Sequence, residues 1–136
     1  MCYTKKAIVM KYIFMDTKKV LIIEDEIPMA KALRLKMQKE EIEVSIAYNG
    51  KEGIDFIEKE SFDLIVCDLM MPVVDGFSVL EYLHEHGKNI PVIIASNISQ
   101  GEDIERALSL GARDYFVKSD TPIVAIVAKV KSLLEE

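Results

Sequence analysis

Residues 20–25 read Val-Leu-Ile-Ile-Glu-Asp, four apolar residues running directly into two acids. The arrangement returns along the chain. Leu64-Ile65-Val66-Cys67 runs into Asp68, Val92-Ile93-Ile94-Ala95 into Ser96, and Tyr115-Phe116-Val117 into Lys118. A fifth run, Val44-Ser45-Ile46-Ala47, alternates more and ends in Tyr48-Asn49-Gly50 without a charge. Short, continuous apolar runs are the pattern of strands covered on both faces, and the alternating one suits an edge. Their starts lie 24, 20, 28 and 23 residues apart, room each time for a helical crossover.

The intervening segments carry helical spacing. Residues 27–40 place Ala30, Leu33 and Met37 on one face, residues 50–60 Ile54 and Ile57, and residues 76–86 Phe77, Leu80 and Leu83. Ile104, Ala107 and Leu108 mark a fourth helix, and Ile123, Ile126, Val127, Val130 and Leu134 a fifth. Thr121-Pro122 reads as an N-cap followed by proline at the first helical position. Gly111 stands where a glycine closes the fourth helix. Glu102, Asp103 and Glu105 suit the start of that helix, where its dipole favours anions. Five strand–helix pairs predict an α/β fold with a doubly wound five-stranded parallel sheet. Right-handed crossovers with helices on both faces allow the strand order 2-1-3-4-5.

A chain of 136 residues makes one domain able to bury roughly 65–70% of its unfolded surface. With 50% hydrophobic and 29% charged residues, wholesale disorder is excluded. The net charge of −6 makes nucleic acid a poor partner, since its phosphates reward a basic face. Two cysteines form no framework, and Cys67 reads as a small buried hydrophobe in a reducing cytoplasm. No apolar stretch approaches the roughly 18–20 residues of a membrane span. Residues 1–16 have a basic start and a short apolar part, but Lys11 interrupts it and no small-x-small cleavage site follows. They are expected to be an N-terminal extension ahead of a domain at 17–136.

The chemistry gathers after the strands. In a parallel sheet all carboxyl ends lie along one edge, and ligands bind there where the strand order reverses. Glu24 and Asp25 should therefore meet Asp68, with Ser96 and Lys118 arriving from the other side. Two unit charges 4 Å apart cost about 4 kcal/mol at an effective dielectric near 20. A hard divalent cation relieves such a cluster, and a few carboxylates that leave room for water suit Mg²⁺. The metal and Lys118 together would neutralise a phosphoryl group, with Ser96 donating a hydrogen bond. Asp68, the central carboxylate, is left as the nucleophile.

Taken singly, these residues say little. A carboxylate after a strand is usually a solvated loop residue, a serine a cap, a lysine a snorkelling surface charge. Tyr115 alone could be core packing. Their coincidence at four strand ends is what points to chemistry. His84 and His86 have no metal-ligand partner and read as surface residues, while the Met70 and Met71 side chains read as packing and turn residues.

The stretches VLIIEDE, DLIVCDLMMPVVDGF, PVIIASN and GARDYFVK give residues 18–135 a resemblance to the response-regulator receiver domain. The resemblance implies a flavodoxin-like (βα)5 fold and a phosphoryl group accepted on Asp68 from a histidine kinase or histidine phosphotransfer protein. It implies Mg²⁺ held by Asp25, Asp68 and the backbone carbonyl of Met70, with Glu24 acting through water. Ser96 would move toward the phosphoryl group, Tyr115 would swing inward behind it, and Lys118 would hold another oxygen. Pro72 and Gly76 would shape the turn presenting Asp68.

Two positions depart from the family pattern. Ser119 replaces the usual proline after the lysine, so a trans Lys118–Ser119 bond and a rearranged loop are expected, a cis bond there costing about 3–4 kcal/mol. Asn97 stands where a small side chain is favoured and is expected to crowd the in-line approach to Asp68.

The leading function is thus a phosphorylatable switch in the cytoplasm, not an enzyme beyond its own phosphorylation and dephosphorylation. Its shifting surface would be made by the fourth helix, fifth strand and fifth helix. Partners would be the kinase or phosphotransfer protein and a downstream protein, with neither nucleic acid nor membrane contacted directly. Dimerisation on phosphorylation, common among relatives, is undecided by the residues. A docking module needing no phosphate is the alternative. A phosphatase of the haloacid dehalogenase type is disfavoured, because Met70 stands where its second aspartate belongs.

Overall fold

A computed structural model of the chain describes residues 17–136. The expected extension at 1–16 lies outside the described residues, as does the reading of its Lys11. The elements run β1 (Lys19–Ile23), α1 (Ile27–Lys39), β2 (Glu43–Ala47), α2 (Gly50–Lys59), β3 (Leu64–Cys67), α3 (Gly76–Glu85), β4 (Val92–Ser96), α4 (Gly101–Ser109), β5 (Asp114–Val117) and α5 (Ile123–Leu134), with a 3₁₀ turn at Lys118–Asp120 before α5. All strand pairings are parallel and the order is 2-1-3-4-5. This is the doubly wound sheet that the spacing predicted.

Successive residues of a strand point to opposite faces, so the apolar runs divide into two cores. Leu21, Ile23, Ile65, Cys67 and Ile94 pack with Ile57 of α2, Leu80 and Leu83 of α3 and Ala107 of α4. Val20, Ile22, Leu64, Val66 and Ile93 pack with Ala30, Leu33 and Met37 of α1 and Ile126, Val127 and Val130 of α5. Two helices thus cover one face and three the other. Each fully buried aliphatic side chain contributes about 1.5–3 kcal/mol relative to exposure. Charges on the helix surfaces add smaller ties: Lys131 of α5 meets Glu40 beside α1 at 2.9 Å, and Arg106 of α4 lies 4.1 Å from the ring centre of Phe77 in α3.

Helix ends follow local chemistry. Asn49 caps α2 by accepting from the Glu52 amide, and Asp75 caps α3 by accepting from the Ser78 amide, each at 2.8 Å. Gly111, at φ +109°, turns the chain out of α4 as expected.

Three expectations are corrected. Pro122, not Thr121, is the residue flanking α5, extended at ψ 151° with no side-chain cap. Its ring supplies the bend without a hydroxyl. Leu108, expected on the buried face of α4, is 44% exposed. Ala107 takes the inner position instead, because helical spacing lets only part of an adjacent apolar pair face the sheet. Tyr115-Phe116-Val117, read as covered on both faces, is half-buried throughout. As the outermost strand, β5 has a neighbour on one side only.

Candidate functional site

Register brings the strand ends together. Ile23, the last residue of β1, pairs with Ala47 of β2 and with Cys67 of β3, so Glu24 and Asp68 leave the sheet at the same level. The ladder continues one step beyond, the Asp68 amide donating to the Ile23 carbonyl at 3.0 Å. Ser96 pairs with Val117, which places Lys118 immediately past the end of β4.

One carboxylate oxygen from each of Glu24, Asp25 and Asp68 lies within 4.8 Å of the others. Glu24 and Asp68 are buried, whereas Asp25 is exposed. Lys118 stands between the two buried acids. Its Nζ lies 2.5 Å from Glu24 Oε1 and 3.0 Å from Asp68 Oδ2, with Glu26 Oε1 at 3.5 Å. The other oxygen of Asp68 accepts from the Leu69 amide at 2.7 Å and from the Met70 amide at 3.4 Å. Glu24 Oε2 accepts from the Glu26 amide at 3.1 Å. One ammonium against four carboxylates leaves the pocket net negative, and its donors are hard oxygens with an open side at Asp25. Those are properties that fit a divalent ion retaining water, Mg²⁺ among them.

The same crowding sets the protonation. Burial pushes the Glu24 carboxyl up to about 7, while Lys118 and the Glu26 amide pull the other way. For Lys118, burial favours the neutral amine, but hydrogen bonds to Glu24 and Asp68 outweigh it and hold the ammonium above its ordinary range. Burial thus makes the Glu24–Lys118 contact costly as an ion pair, and its hydrogen-bond partners offset part of that cost.

The Ser96 hydroxyl, fully buried, accepts from the Ile98 amide at 3.3 Å. Tyr115 is half-buried and donates from its hydroxyl to the Ile98 carbonyl at 2.6 Å. Burial raises the Tyr115 phenol, against the pull of Ser96. Ile98 thus ties the two residues expected to act as a switch, a connection no sequence pattern signalled. Asn97, between Ser96 and Ile98, is exposed. No cis peptide bond occurs among the described residues, and Ser119 continues into the 3₁₀ turn while Lys118 still reaches Asp68.

Other readings fall into place. Cys67 is buried, its thiol donating to the Asp68 carbonyl at 3.1 Å and pushed well above its ordinary range by burial. His84 and His86 are exposed, and His86 stacks on Tyr82. Gly76 lies so close to Asp68 that an added Cβ would collide with the Asp68 carbonyl oxygen. Glu26, not foreseen from the sequence, is a further neighbour of Lys118. Its only signal was adjacency to the acidic pair.

Known proteins resemble the chain in the same terms. Residues 20–131 match the family model of the response regulator receiver domain. The regulatory protein VanRc of Enterococcus gallinarum is 36% identical over 120 residues, 87% of this chain and 50% of VanRc. Response regulator ArlR of Staphylococcus saprophyticus is 33% identical over 116 residues, 85% of this chain and 52% of ArlR. The chain spans about half the length of the curated relatives it matches. Among solved structures, the receiver domain of the Francisella response regulator 1452 superposes with a TM-score of 0.83 at 33% identity, covering 88% of this chain and 98% of that one. The CheY-like receiver domain protein of Methanospirillum hungatei gives a TM-score of 0.82 at 27% identity, covering 88% and 94%.

Proposed function

The chain belongs to the response regulator receiver domain family of two-component systems, and we propose that it accepts one phosphoryl group on Asp68 from a histidine kinase or histidine phosphotransfer protein. The observation that carries this reading is Lys118 reaching both Glu24 and Asp68, at 2.5 and 3.0 Å, in a pocket that Asp25 opens to solvent. A carboxylate, a cation and a place for a divalent ion then share one edge of the sheet.

In the transfer, a carboxylate oxygen of Asp68 attacks phosphorus in line with the phosphohistidine P–N bond. The P–O bond forms as the P–N bond breaks, and the leaving imidazole nitrogen keeps the electron pair and takes up a proton. Lys118 holds one phosphoryl oxygen as it now holds Asp68 Oδ2. Ser96 turns its hydroxyl from the Ile98 amide to another oxygen. Glu24, Asp25, Asp68 and the backbone carbonyl of Met70 would hold Mg²⁺, Glu24 through water. When bound, the ion supplies charge neutralisation for the phosphoryl oxygens.

Movement of Ser96 would release Tyr115 from the Ile98 carbonyl and shift the surface of α4, β5 and α5 between two populations, to which a downstream protein responds. In this reading the receiver domain occupies residues 17–136, works in the cytoplasm, and catalyses only its own phosphorylation and dephosphorylation.

Acetyl phosphate, which needs no protein docking, tests the chemistry alone. With Mg²⁺ it is expected to add one phosphoryl group to the wild-type chain, read by intact mass, and none to Asp68→Asn, with thermal melts showing both proteins folded. An unmodified wild-type chain would instead support a docking module that needs no phosphate. Repeated turnover of small phosphate esters would support a phosphatase.

A further inference from the structure

The opposite edge of the sheet, where its strands begin, lies a full strand length from Asp68, roughly 13 Å along β4 at 3.3 Å per residue. There the ends of α3 and α4 frame a cavity of about 260 Å³. Leu80, Leu83, Ile90, Val92 and Leu110 form its apolar wall. Its charged side chains are Lys88 and Arg113, with His84 and Asn89 beside them, and no acidic side chain lines it. That lining runs against the net charge of −6 carried by the chain.

Cations near the end of a helix ordinarily serve its last carbonyls. Here the backbone meets that need. The Gly87 and Lys88 amides close α3 onto the His84 and Leu83 carbonyls, at 3.2 and 2.9 Å. The Gly111 and Ala112 amides close α4 onto the Leu108 and Ala107 carbonyls, at 3.0 and 3.1 Å. Lys88, half-buried, forms no ion pair among the described residues. Arg113 does form one, and its partner is informative: a terminal nitrogen holds the Glu136 carboxylate at 2.8 Å. Both side chains of that pair are about half exposed, so water screens it and the pair is easily exchanged. A carboxylate therefore already sits on the rim, and a guanidinium has further N–H donors for a second one.

We propose that this cavity binds a compact apolar carboxylate, a short- or medium-chain fatty acid, its tail against Leu83, Ile90 and Leu110 and its headgroup between Lys88 and Arg113. Volume and lining choose the class. At about 260 Å³ the cavity falls short of the roughly 300–1,000 Å³ that drug-sized ligands occupy, which excludes a nucleotide. The apolar wall gives a bare inorganic anion nothing to displace, and the two cations repel an amine. Occupancy would tie the ends of α3 and α4 together from below. The inference is independent of phosphoryl transfer and stands whether or not Asp68 accepts a phosphoryl group.

The test uses the full chain and hexanoate as probe, with acetate, hexanol, hexylamine and inorganic phosphate as controls. Methyl and amide NMR shifts are followed on titration. Hexanoate is expected to bind saturably with a Kd of about 1 mM, within what so few heavy atoms supply. Its shifts are expected to centre on Leu83, Ile90 and Leu110 and on the Lys88 and Arg113 amides. Each control lacks the tail, the charge or its sign, and is expected to bind at least about tenfold more weakly. Lys88→Gln, with a melting temperature matching wild type, is expected to weaken hexanoate about tenfold, while Lys36→Gln on α1 leaves it unchanged. Shifts that do not saturate or that centre elsewhere would overturn the proposal. So would full affinity in Lys88→Gln or a control that binds as tightly as hexanoate.

Discussion

Lys118 shows how much one side chain can decide. Its ammonium is the cation between Glu24 and Asp68, and all three side chains are nearly inaccessible. Removing one partner of such a buried set leaves uncompensated charge, which costs about 3 kcal/mol or more. Lys118→Met is therefore expected to unfold at lower denaturant than wild type at neutral pH in EDTA, by about that amount. Added Mg²⁺ should raise the melting temperature of the variant more than that of the wild type, because the lysine no longer competes with the ion for the same carboxylates. An equal or smaller rise would show that the ion does not settle among Glu24, Asp25 and Asp68.

At the scale of elements, the connection from β3 to α3 carries both a tight contact and a strained one. Gly76 opens α3 directly against the Asp68 carbonyl, where no Cβ fits. Gly76→Ala must push either the helix or the acceptor aside. It is expected to cost about 3 kcal/mol of stability, at the upper end for overpacking, and to lower the acetyl phosphate labelling rate as Asp68 shifts. Stability and labelling equal to wild type would show that the loop absorbs the methyl group freely. Three residues earlier the sign reverses. Val73, at φ +72° with the Val74 amide donating to the Pro72 carbonyl at 2.9 Å, centres a γ-turn. Val73→Gly relieves this left-handed β-branched residue at a cost of some chain entropy, and is expected to stabilise the domain by about 1 kcal/mol in denaturant titrations. A destabilised variant would mean that the γ-turn stores no strain.

Across the whole molecule, the two cores meet at a sheet whose central strands are fully covered. Cys67 sits there, 0% exposed and in the core with Ile23 and Ile94. Burial also disfavours its thiolate, the species that reacts. In a Cys2→Ser background, modification of Cys67 by a disulfide reagent is expected to track global unfolding, accelerating with denaturant along the full unfolding slope. A fast, denaturant-independent reaction would show that β3 opens locally, and with it the strand that presents Asp68.

The rhythm of apolar runs and helical spacings specified the sheet, its helices and the residues that end each strand, because periodicity is local and the residue after a strand is covalently bound to lie at the sheet's edge. Glu24, Asp25, Asp68, Ser96 and Lys118 were legible on that ground. What depends on which neighbour covers a face was not legible. Leu108 and β5 proved more exposed than their apolar character suggested, Tyr115 found the Ile98 carbonyl, and Glu26 came within reach of Lys118. The left-handed turn at Val73 arises only when the loop after β3 is held between Asp68 and the start of α3. Local pattern carries no record of that closure, since the contacts that enforce it come from residues far apart in the chain.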